Sequence, residues 1–68
     1  NPSRAFIYID TFGETVNVSL LDETGRKVDE NIVTGQWVIH RRNLAAGVYF
    51  IECLALDRRE LYRVVFEE

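Results

Sequence analysis

The sequence predicts an all-β fold, a small antiparallel β-sandwich of about six to seven short strands. Three observations carry that expectation. Runs of β-branched and aromatic residues recur at roughly ten-residue spacing, divided by Gly, Asp and Thr turn signals. In the clearest run, Thr15 to Asp22, apolar and polar residues alternate with the period of two that a half-buried strand needs. No window carries the roughly 3.6-residue periodicity of an amphipathic helix, and the best candidate, Arg41 to Ala46, is short and passes straight into a strand.

Taken in order, Ala5 to Ile9 is apolar and aromatic and reads as a first strand. Thr11 to Glu14 follows as a turn around Gly13. In the run after it, Val16, Val18 and Leu20 share one face, with Asn17 and Ser19 on the other. Asp22-Glu23-Thr24-Gly25 has the chemistry of a hairpin turn: an Asp side chain to cap it and a Gly at its end. Arg26 to Glu30 then pairs back with Val28 pointing inward, and Ile32 and Val33 extend it. Thr34-Gly35 is another break, and Gln36 to His40 contains the strong strand formers Trp37-Val38-Ile39. Arg41 to Gly47 is a connection. Val48 to Leu56 is a long apolar run in which Glu52 marks the solvent face and Tyr49, Ile51 and Cys53 face in. A charged turn, Asp57-Arg58-Arg59-Glu60, leads to the last strand, Leu61 to Phe66.

A chain of 68 residues is a single domain, 1–68, and buries only about 60% of the surface its unfolded form exposes, so its stability is thin. Its 47% hydrophobic content supports a real core. The formal charge of −3 argues against nucleic-acid binding, which needs a basic face. The arginine pairs Arg41-Arg42 and Arg58-Arg59 read as solvated turn charges. A single cysteine, Cys53, leaves no internal disulfide and reads as a small buried hydrophobe. No stretch is long and apolar enough for a membrane helix, so no membrane insertion is expected. The start at Asn1-Pro2, without a Met, suggests a fragment of a longer protein.

No constellation carries enzyme chemistry. His40 and Cys53 lack the companions a zinc site requires, so no metal and no cofactor is expected. Ser3 and Ser19 sit in no nucleophile elbow, and Ser19 lies mid-strand. The carboxylates fall in turns and at the termini, and a 68-residue sandwich offers little cleft in which to shift their pKa values for paired acid–base work. The glycines are isolated, so no phosphate loop forms. Asn17-Val18-Ser19 matches the glycosylation triplet but lies inside a strand. Trp37 reads as core packing rather than a sugar-stacking platform.

Four features occur in a fixed order: Asn1-Pro2-Ser3, Asp22-Glu23-Thr24-Gly25-Arg26-Lys27-Val28, Leu44-Ala45-Ala46-Gly47-Val48-Tyr49, and a closing Tyr62-Arg63-Val64-Val65-Phe66. In that order and spacing the chain resembles the C-terminal sorting domains of the type IX (Por) secretion system of Bacteroidetes. The resemblance covers essentially the whole chain. It departs from the family pattern in the basic run His40-Arg41-Arg42-Asn43 and in the acidic close Glu67-Glu68.

The resemblance implies an Ig-like sandwich that is an export address and no enzyme. It implies outer-membrane secretion machinery and a sortase-like peptidase as partners. The route it implies runs through the periplasm to the cell surface or medium. The residues it points to for recognition are Asp22, Gly25, Arg26, Leu44, Gly47, Tyr49, Arg63, Val64 and Val65. An exposed edge strand would also permit β-augmentation, or an edge-paired or strand-swapped dimer. The alternative is a non-catalytic Ig-like accessory module, structural or carbohydrate-binding, of a surface or secreted protein.

Overall fold

The computed structural model describes residues 6–68, so the Asn1-Pro2-Ser3 motif and the Ala5 start of the first predicted strand lie outside the described residues. Four strands make up the fold: β1 (Phe6–Asp22), β2 (Lys27–His40), β3 (Gly47–Leu54) and β4 (Arg59–Phe66). They form one antiparallel sheet in the order β2-β1-β3-β4, with no helix among the described residues.

The sheet has four strands where the sequence pattern predicts about six to seven, because two predicted turns are one bulge. Asp10 pairs with Gln36, and the next paired residues are Thr15 and Thr34. Four residues of β1 therefore face one of β2, and the ladder continues on both sides. Phe12 (φ 54) and Gly13 (φ 86) take left-handed conformations here. The Asp10 side chain receives the Phe12 N–H at 2.8 Å. The Thr11 hydroxyl closes the gap by accepting the Gly35 N–H at 2.7 Å and donating to the Gly35 carbonyl at 3.1 Å. Thr11–Glu14 and Thr34–Gly35 are thus the two sides of a kink within one long hairpin.

The kink curls the sheet. β2 and β4 are its opposite edges, yet Arg41, just past β2, lies 5.3 Å from the ring centre of Phe66 at the end of β4. The Arg41 guanidinium also donates to the Glu67 carbonyl. On another side, Arg58 in the β3–β4 turn donates to Glu14 in the kink at 3.0 Å. The distal half of the hairpin therefore folds over the β3–β4 face. The shortest molecular extent is 18 Å, more than one flat sheet needs when two stacked layers sit about 10 Å apart.

The core lies inside this curl. Val16, Val18 and Leu20 point inward as the alternation predicts, joined by Val33, Ile39, Tyr49, Ile51 and Phe66. Trp37, Val28, Leu44 and Cys53 pack against this cluster while staying partly exposed. Cys53 is therefore less buried than expected. Ser19 is the opposite case. It lies on the outer face with Asn17, but its cross-strand neighbours Glu30 and Glu52 cover it to 2% exposure.

Candidate recognition surface

The predicted hairpin turn connects β1 and β2 and is built around one carboxylate. Asp22 Oδ1 accepts from the Thr24 N–H at 3.0 Å, the Thr24 hydroxyl at 2.6 Å and the Arg26 N–H at 2.9 Å. Its Oδ2 accepts from Arg26 Nε at 3.1 Å. The backbone closes the same turn through the Gly25 N–H to the Asp22 carbonyl and the Asp22 N–H to the Arg26 carbonyl, both at 2.9 Å. Led by the Thr24 hydroxyl, these donors favour the charged form and hold the Asp22 pKa down to about 2. Gly25 has φ 89, and a Cβ there would meet no atom within 4 Å. Glycine is required at this position by backbone conformation rather than by space.

Gly47 opens β3 beside this turn, and a Cβ on it would lie 3.8 Å from the Glu23 carboxylate. Tyr49, two residues on, is 7% exposed. Its hydroxyl donates to the Ala45 carbonyl at 2.8 Å, fastening the connection that precedes its own strand. Leu44 sits in that connection, half-buried against the core. Arg41 holds it from the other side, with Arg41 Nε donating to the Leu44 carbonyl at 3.1 Å. Phe66 fills the floor, its ring 5.0 Å from Tyr49 and tilted by 58°.

Register brings the motifs together. Asp22 pairs with Tyr49, and Tyr49 pairs with Val64. One rung thus spans three strands and joins residues from the hairpin turn, the β3 start and the final strand. The next rung is Leu21, Phe50 and Arg63, on the opposite face. Val48 pairs with Val65 on that same outer face. Three motifs that are far apart in sequence form one end of the molecule.

That end divides the expected residues into two groups. Asp22, Gly25, Leu44, Gly47, Tyr49 and Val64 hold its shape through hydrogen bonds, backbone conformation or packing. Arg26, Arg63 and Val65 lie on its surface. The Arg26 side chain is 76% exposed. The Arg63 side chain is exposed and makes no hydrogen bond or ion pair with another described residue. Val65 is half-buried on the outer face.

Two structural residues escape a reading of the sequence alone. Arg41 is half-buried and fixed by two carbonyls and the Phe66 ring, where it was expected to be a solvated turn charge. Arg58 is likewise shared between Glu14 and Asp57. The signal for Arg41 is its place three residues before Leu44, but the contact with Phe66 depends on closure of the whole sheet. Among the described residues no three His, Cys, Asp or Glu side chains cluster as metal ligands.

The comparisons with known proteins agree with the motif order. No curated protein and no solved structure matches the chain significantly. The family model described as the secretion system C-terminal sorting domain matches residues 1–67, nearly the full length. The chain therefore belongs to the family of C-terminal sorting domains, the sorting signals of the type IX secretion system.

Proposed function

We propose that the outer surface formed by Arg26, Arg63 and Val65 is the part of this sorting domain that the outer-membrane secretion machinery reads. The observation that carries this reading is the rung Asp22–Tyr49–Val64, which gathers three separated motifs at one end. A linear signal would not need its parts folded together. Here the shape-holding residues fix the surface, and the displayed ones supply the Arg63 cation with Val65 on its face and the Arg26 cation, paired with Asp22, at the turn. A partner with a carboxylate pair flanking an apolar groove would complement it.

In this reading the domain, residues 1–68, is a non-catalytic address label on a longer protein. That protein passes through the periplasm, and a sortase-like peptidase then releases it at the cell surface or into the medium. The folded-over half of the hairpin is the second layer of an Ig-like sandwich.

The test is a fusion of residues 1–68 to the C-terminus of a periplasm-directed fluorescent protein in a type IX-competent host. The intact fusion is expected at the surface or in the medium. A truncation from Leu61 onward and an Arg26→Glu/Arg63→Glu variant are both expected to stay periplasmic. Normal export of a folded double variant would show that the machinery reads another surface.

A further inference from the structure

A cleft of about 510 Å³ lies between the folded-over part of β1 and the inner face of β3 and β4, away from the Asp22–Arg26 turn. Its floor is apolar: Val16, Ile51, Cys53 and Ala55. Ile7 and Ile9 form one wall, and Tyr62 and Val64 the other. These are the inward-facing positions of an antiparallel sheet, which usually packs against another element. Val16 and Ile51 lie buried at the bottom of the cleft, but Ile7, Ile9, Cys53, Ala55 and Val64 are only half-buried, and Tyr62 is 52% exposed.

The backbone on both walls is also open. Among the described residues, β4 is an edge strand bonded only to β3. Among them too, the Ile7–Asp10 stretch of β1 is bonded only to β2, because β3 pairs with β1 over Asn17–Asp22. An apolar floor between two unpaired strand edges has the donors, acceptors and side-chain pockets that an added strand uses. A small apolar ligand would use only the floor.

The charges around the cleft say which strand. Among the described residues, Asp10, Glu14 and Glu60 line it against one cation, Arg58. Arg58 is already committed to Glu14 and Asp57 and lies 3.7 Å from Glu60. Asp10 has no cationic partner among the described residues. The lining is therefore acidic in excess. A second copy of this chain, with a net charge of −3, would meet that excess unfavourably.

We propose that this cleft seats an extended strand from a partner protein. The strand would alternate apolar side chains and carry a lysine or arginine at each end, to meet Asp10 and Glu60. The proposal concerns a surface separate from the one proposed for export and stands independently of it.

The 68-residue chain can be titrated with the peptide Lys-Val-Thr-Val-Thr-Val-Lys and with its twin bearing Glu for Lys, read by amide NMR. The basic peptide is expected to shift the amides of β4 and of Ile7–Asp10. At low salt it should bind about five- to tenfold tighter than the acidic one. Cys53→Trp, which fills the floor, should weaken it by about tenfold or more. The charge variant Asp10→Lys/Glu60→Lys should reverse the preference and leaves the apolar floor of the cleft unchanged. Equal binding of the two peptides, shifts confined to other strands, or an unchanged preference in the charge variant would each overturn the proposal. So would binding of a small apolar dye in the cleft when neither peptide binds.

Discussion

Replacing Phe66 by alanine removes the ring on which the two edges of the sheet meet. Phe66 is 1% exposed and pairs across the ladder with Gly47. Emptying a fully buried aromatic site costs about 3–5 kcal/mol. Within that figure, the tilted contact with Tyr49 contributes about 0.5–1.5 kcal/mol and the Arg41 guanidinium about 0.5–1 kcal/mol. A chain of 68 residues has roughly 3–10 kcal/mol of stability in total. Phe66→Ala is therefore expected to remove roughly a third or more of the stability, and to unfold the chain outright where the total lies at the low end of that range. Phe66→Leu keeps the burial but loses the ring contacts, and should cost about 1–2 kcal/mol. Trp37, the sole tryptophan, packs against the core and reports unfolding in urea. A cycle combining Phe66→Leu with Arg41→Met should return a coupling of about 0.5–1 kcal/mol. A Phe66→Ala protein that loses less than about 1.5 kcal/mol at unchanged urea dependence would refute the argument that this residue closes the core.

Two further outcomes follow from the hairpin turn. The folded-state pKa of Asp22 is depressed to about 2 from 3.8, so its contribution is fully present above about pH 4 and is lost as pH falls towards 2. Glu14 beside Arg58 and Glu30 beside Lys27 are lowered too and act in the same direction. The urea midpoint should therefore drop between about pH 5 and pH 2, and Asp22→Asn should lower it at neutral pH and flatten the acid decline. Equal acid slopes in the two proteins would remove Asp22 from that account. Gly25→Ala should cost about 1–2 kcal/mol from backbone strain alone, since a Cβ there meets nothing. Gly25→Asn should recover part of it, and a larger cost for Asn than for Ala in equilibrium unfolding would contradict a purely conformational cause.

The parts of this fold legible in the sequence are those set by local chemistry. The alternation in Val16, Val18 and Leu20 names one buried face, and all three are buried. Asp22 and Gly25 specify a turn through a side-chain acceptor and a positive φ, and both appear as expected. Tyr49 and Ile51 face inward, and Glu52 outward, for the same periodic reason. What local chemistry does not encode is pairing partners. Gly13 and Gly35 each signal a break, but only the ladder shows that they oppose one another and form one kink. Arg41 and Arg42 look alike as neighbours in a turn. The first is held by Leu44, Glu67 and Phe66, because the sheet curls back to it, and the second is exposed. Ser19 sits at a polar position of the alternation and is still covered, because Glu30 and Glu52 reach over it. In the proposed recognition surface the residue types were readable, but their division into shape-holding and displayed groups came from register.

That division bears on how such an address is read. Arg63 and Val65 are displayed by β4, whose only partner is β3, and β3 is in turn held by the last six residues of β1. Val64 and Phe66, between and beyond them, point into the core. The alternation that exposes Arg63 and Val65 is therefore the one that buries Val64 and Phe66. A slip of β4 by one residue would turn the two displayed side chains inward and expose the buried pair, at the cost of the Phe66 site. The core thus fixes which face Arg63 and Val65 present, and a partner that contacted only these two side chains would still sense whether the last strand has docked in register.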